Sequence, residues 1–112
     1  MTLILDRKED LKKLKFQIYF YNQGKIIWSN EPVRKLIYHL NGKKVKFSSK
    51  VDLKKMRILF EFRFGFPIQI TDIKIIAFLD QKRIYSRNYR MPQSLYLNAY
   101  DKLELTWELK MR

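Results

Sequence analysis

Nine residues, KRIYSRNYR at positions 82–90, hold the densest group of side chains equipped for chemistry in this sequence. Lys82, Arg83, Arg87 and Arg90 are cations, and Tyr85 and Tyr89 are interleaved among them. Ammonium and guanidinium groups bind phosphate oxygens, and exposed rings stack on bases, so one chemistry for the stretch is contact with DNA or RNA. A second is contact with protein, because Arg and Tyr make large, hydrogen-bonded interface contacts. A third is no partner at all, with the charges solvating one face of a hairpin and the rings filling a core. These six residues are the candidate partner or nucleic-acid contacts. Lys43, Lys44, Lys46, Lys50, Lys54, Lys55 and Arg57 form a second basic group. Tyr19, Tyr21 and Tyr96 join Tyr85 and Tyr89 as interface candidates wherever the fold turns them outward.

Catalysis needs several polar groups converging in a pocket, and the sequence offers little of that. His39 is the only histidine and sits among Ile37, Tyr38 and Leu40, a structural setting. Asp72, Asp80 and Asp101 are expected at strand ends or turns, where Asp bonds backbone. With no cysteine, no histidine cluster, no tellingly spaced carboxylate pair and no glycine-rich phosphate loop, no catalytic residue, metal site or cofactor is expected.

The elements that must position the candidates come from composition and period. At 112 residues the chain reads as a single domain, residues 1–112. Eight Phe, seven Tyr and two Trp beside many Ile and Leu, with three Gly and three Pro, favour pleated, half-buried surfaces. The absence of cysteine excludes a disulfide-stapled fold. No apolar run reaches the ~20 residues of a membrane helix, so no membrane span is expected. The first ten residues are too short in apolar length and too early in acids for a signal peptide. A net charge of +13 fits a polyanionic or acidic partner, or merely a solvated sheet face.

Alternation marks a strand after Lys13, with Leu14, Phe16, Ile18 and Phe20 on one face. Asn22-Gln23-Gly24 turns into KIIWS at 25–29. Residues 31–40 carry Val33, Leu36, Ile37 and Leu40 at helical spacing, with Ser29 or Asn30 as a cap and Asn41-Gly42 as a terminator. One short helix is expected there, although a strand ending in an Asn-Gly hairpin also fits. KVKFS at 44–48 is a short strand. MRILFEFRF, 56–64, is the strongest internal one, with Met56, Ile58, Phe60, Phe62 and Phe64 on one face. IQITDIKIIAFL at 68–79 is buried on both sides where Ile75, Ile76, Ala77 and Phe78 run together. KRIYSR follows, Met91-Pro92 breaks the chain, SLYLN resumes, and Leu103, Leu105, Trp107 and Leu109 mark the closing strand. Seven or eight strands so patterned predict an all-β fold, an antiparallel β-sandwich or small jelly roll.

The phrase ITDIKIIAFLDQKRIYSRNYRMPQSLYLNAYDKLELTWELK resembles the C-terminal part of small structural proteins in virions of tailed bacteriophages and related viruses. The carrying positions are Ile70-Thr71, the turn Asp80-Gln81, Arg83 to Arg87, Pro92, and Asp101 through Trp107. NEPVRKLIYHLNG resembles the short helix that precedes that sandwich, so the likeness spans about residues 30–110. Asp80-Gln81 and Ala99-Tyr100 stand where those proteins usually carry a glycine. The resemblance implies a non-enzymatic, tail- or capsid-associated assembly subunit, in a virion assembled in the host cytoplasm. Its partners would be itself and other virion proteins. The alternative, from the charge, is a small basic nucleic-acid-binding protein gripping phosphates through its Lys/Arg patches.

Overall fold

The computed structural model describes residues 2–31 and 45–112. Eight strands form two packed sheets: β1 (Thr2–Leu5), β2 (Leu14–Asn22), β3 (Lys25–Ser29), β4 (Val45–Asp52), β5 (Arg57–Phe64), β6 (Ile68–Leu79), β7 (Lys82–Leu97) and β8 (Lys102–Met111). The first sheet has the order β1-β8-β5-β4 and the second β3-β2-β6-β7. The protein is thus an all-β sandwich. The helix expected near residues 31–40, apart from Glu31, and His39, Lys43 and Lys44 lie outside the described residues.

Two expectations change. The hairpins β2–β3, β4–β5 and β6–β7 each stay within one sheet, so the chain does not alternate between sheets as a jelly roll does. Nor is the pairing wholly antiparallel: β1 runs parallel to β8, with Thr2 opposite Glu108 and Leu5 opposite Met111. A 3-10 turn over Lys8–Lys13 carries the chain from β1 to the other sheet.

Alternation explains the core. Ile18 and Phe20 of β2, Ile58, Phe60 and Phe62 of β5, Ile70, Ile73 and Ile75 of β6, and Trp107 of β8 are fully buried. Aromatic edges bridge the sheets, with Phe16 4.9 Å from Phe60, Phe20 4.9 Å from Phe62, and Tyr85 5.1 Å from Trp107 between ring centroids. Such pairs add ~0.5–1.5 kcal/mol beyond the area they bury. Ile76 is also buried but points the other way, on the outer face between Gln17 and Ser86. That accounts for the run of four apolar residues at 75–78.

Turns and strand ends hold the frame. Gln23 (φ 50°) and Gly24 (φ 82°) make the β2–β3 turn with left-handed backbone at both positions. Asp80 (φ 50°) and Gln81 (φ 67°) do the same between β6 and β7 without a glycine, and Tyr100 has φ 72° before β8. Asp101 offsets that strain by accepting the Asn98 N–H at 2.7 Å. Asn30, which the sequence offers with Ser29 as alternative helix caps, extends the β2–β3 ladder: its Oδ1 accepts from the Ile18 N–H and its Nδ2 donates to the Phe16 carbonyl, both at 2.8 Å.

Candidate interaction edge

All six candidate residues lie on β7, an outermost strand of the second sheet; among the described residues no strand lies on its other side. Against β6 the strand is regular from Lys82 to Arg90 apart from one bulged residue, Ile84. A larger irregularity follows, because Met91 to Ser94 face only Thr71 before Leu95 resumes opposite Ile70. Pro92 stands in that irregularity, where an edge strand tolerates a missing N–H. The break expected at Met91-Pro92 is therefore a bulge inside one strand.

Register divides the candidates between two faces. Tyr85, Arg87 and Tyr89 oppose Ala77, Ile75 and Ile73 and so share the inner face. Tyr85 and Tyr89 pack on the core cluster. The Trp107 indole N–H donates to the Tyr89 hydroxyl at 2.6 Å, tying the edge of one sheet to the middle of the other. The Arg87 guanidinium carbon sits 4.6 Å from the Tyr89 ring centroid, within cation–π range. Burial pushes the Tyr89 phenol above its ordinary value, while the Trp107 bond pulls the other way. These two rings pack on the core wall and are partly buried.

Arg83 and Arg90 point outward. Arg90 opposes Asp72, and the same row continues to Tyr21 on β2; Arg83 opposes Phe78, whose row reaches Lys15. Between them lies the row Tyr19–Lys74–Asn88. The rings of Tyr19 and Tyr21 are 6.2 Å apart, and burial is the main cause raising both phenols above their ordinary value. Lys82 is exposed at the start of the strand. Tyr96, at 71% exposure, is the most open ring of β7. Asp72 lies inside β6 rather than at an end, and accepts from the Thr71 hydroxyl at 2.9 Å.

The acids gather elsewhere. On the outer face of the first sheet Glu61 opposes Glu104, and both are gripped by cations. Arg63 reaches Glu61 at 2.9 Å, and Lys102 reaches Glu104 at 2.7 Å and Glu61 at 4.0 Å. The hydrogen bond from Arg63 holds the Glu61 carboxyl below the usual glutamate value. By contrast, residues 81–100 contain four cations and no acid. Lys46 and Lys50 line β4, an edge of the first sheet, Lys54 and Lys55 follow in its turn, and Arg57 opens β5. Exposed Val51 and Leu53 stand among them.

A shallow open cleft of about 580 Å³ lies near Lys13, Lys15, Gln17, Glu31, Phe78 and Gln81, beside the start of the candidate strand. Its charges are partly matched, with Lys13 3.9 Å from Asp80. Among the described residues, no cluster of three His, Asp or Glu side chains is placed to hold a metal, and no helix is long and apolar enough to cross a membrane. The sequence places the six candidates on one strand but not that strand's open backbone edge, which only the strand order reveals. Compared with known protein families, curated proteins and solved structures, the chain has no match.

Proposed function

We propose that this chain is a non-enzymatic assembly subunit that works through protein–protein contacts at its sheet edges. The β7 edge supports this most directly: a long strand with one ladder of backbone hydrogen bonds made and its outer side open among the described residues. Such an edge pairs readily with another chain, and proteins that must stay alone usually keep edges short or covered. The aromatic bonding behind β7 makes it a firm surface, since Tyr85 and Tyr89 are anchored on Trp107. A virion is the proposed setting, with the subunit tail- or capsid-associated and assembled in the host cytoplasm; this part draws on the sequence resemblance over about residues 30–110.

A second reading, nucleic-acid binding, is favoured by one observation. Tyr19 and Tyr21 share the outer face of the second sheet with Lys15, Lys74, Arg83 and Arg90. Light scattering after size-exclusion chromatography, at about 50 mM and about 500 mM salt and with or without duplex DNA, separates the two. A defined oligomer that persists at high salt and ignores DNA supports assembly. A monomer that shifts onto DNA only at low salt overturns it.

A further inference from the structure

We infer that the β7 edge, from Lys82 to Arg90, takes an acidic extended segment of another protein as an added strand of the second sheet. The inference deepens the assembly reading above and rests on it. Its basis is the combination of an open backbone edge with a strand that carries four cations and no acid of its own, the carboxylate in register beside it being Asp72 of β6, opposite Arg90. Along an antiparallel strand every second residue turns its N–H and C=O away from its neighbour. From Lys82 to Arg90 those outward groups have no strand beyond them among the described residues. An added strand satisfies them at the spacing a peptide backbone supplies and a phosphodiester backbone does not.

Charge then selects the occupant. Lys82, Arg83 and Arg90 are exposed, and no acid lies in the chain between Asp80 and Asp101. A second copy of this chain fits this stretch less well, because antiparallel β7–β7 pairing centred on Ser86 sets Lys82 opposite Arg90, and like charges directly opposed destabilise a pair; self-association then falls to other edges such as β1 and β3. The β4 edge carries Lys46 and Lys50 and is no better as a self-partner. A segment with Glu or Asp at alternate positions places its carboxylates along Arg83 and Arg90 while its backbone completes the ladder. Single-stranded nucleic acid meets the cations but has nothing for the edge, and the rings nearest to it, Tyr85 and Tyr89, face the core.

The test uses the full chain and a labelled peptide of about ten residues alternating glutamate with threonine, followed by fluorescence anisotropy and amide hydrogen exchange. The expected result is binding that weakens with salt, with slowed exchange at outward-pointing amides between Lys82 and Arg90. A lysine–threonine peptide should not bind. Arg83→Glu with Arg90→Glu should weaken acidic-peptide binding at least about tenfold, and the milder Arg83→Gln with Arg90→Gln should weaken it less. No binding at about 1 mM peptide, or binding without slowed exchange in β7, overturns the inference. So does displacement of the peptide by a thymidine oligonucleotide at lower concentration, which would mark the edge as a phosphate site. Peptide failure alongside a salt-resistant oligomer removes the edge proposal and leaves the assembly reading standing; peptide pairing by a monomer that shifts onto duplex DNA does the reverse.

Discussion

Tyr89 and Trp107 form the contact on which the flank of the sandwich depends. Trp107 is fully buried, and its N–H has the Tyr89 hydroxyl as acceptor. Tyr89→Phe removes the acceptor and leaves a donor in apolar surroundings, so chemical denaturation should show a loss of about 1–3 kcal/mol. Trp107→Ala removes a whole core ring and should cost ~3–5 kcal/mol; a loss below ~1 kcal/mol would contradict its place in the core. Alkaline pH reads the same contact. Folding raises the Tyr89 pKa through burial, so the folded state holds the phenolic proton more tightly than the unfolded chain does. The stability this contributes is complete below the ordinary tyrosine value of about 10 and is lost as pH rises through the folded value. Tyr19 and Tyr21 shift in the same direction, so denaturation midpoints should begin to fall above about pH 10. The fall should be shallower in Tyr89→Phe.

Among the elements, the turns store the most identifiable strain. Gln81 and Tyr100 occupy the left-handed region, which costs a residue with a Cβ roughly 1–2 kcal/mol, whereas glycine enters it freely. Glycine loses more backbone freedom on folding, so Gln81→Gly and Tyr100→Gly should each stabilise by a net of about 0.5–1 kcal/mol in urea denaturation. Destabilisation by either would mean that the side chain makes a compensating contact. Local chemistry made several elements readable: β2, β5 and β8 alternate cleanly, and β3 and β6 start and stop where turn residues predict. What depends on distant chain was not readable. Thr2–Leu5 is too short to show a period, and it becomes a strand only by pairing with β8 from the far end of the sequence. Met91-Pro92 looked like a break because proline cannot serve a central strand, a penalty that vanishes at an edge. The candidate site was half legible for the same reason. A period of two already separates Tyr85, Arg87 and Tyr89 from Ser86, Asn88 and Arg90. Which set faces the core, and that the strand is outermost, follow only from the pairing with β6 and the packing on Trp107.

For the whole molecule, charge sets a balance that no single pair decides. Even if each of the eleven acids neutralised one cation, thirteen of the twenty-four Lys and Arg residues would remain unmatched. The ion pairs that do form, such as Lys102–Glu104 and Arg112–Asp6, involve well-exposed side chains and are worth little individually. Repulsion among the surplus cations, spread over β4, β7 and the outer faces, opposes the compact state more than these pairs support it. Salt screens both, and at about 150 mM its reach of about 8 Å cuts the long-range repulsion more than contacts of 2.7–3.4 Å. The thermal midpoint should therefore rise with sodium chloride between about 20 and about 300 mM, by about 4 °C if screening recovers about 1 kcal/mol. A midpoint that falls over that range would show that the Glu61–Lys102–Glu104 network outweighs the surplus charge. It would also weaken the case that the cationic β7 edge awaits an acidic partner, because a chain already content with its own charges gains less from a foreign carboxylate.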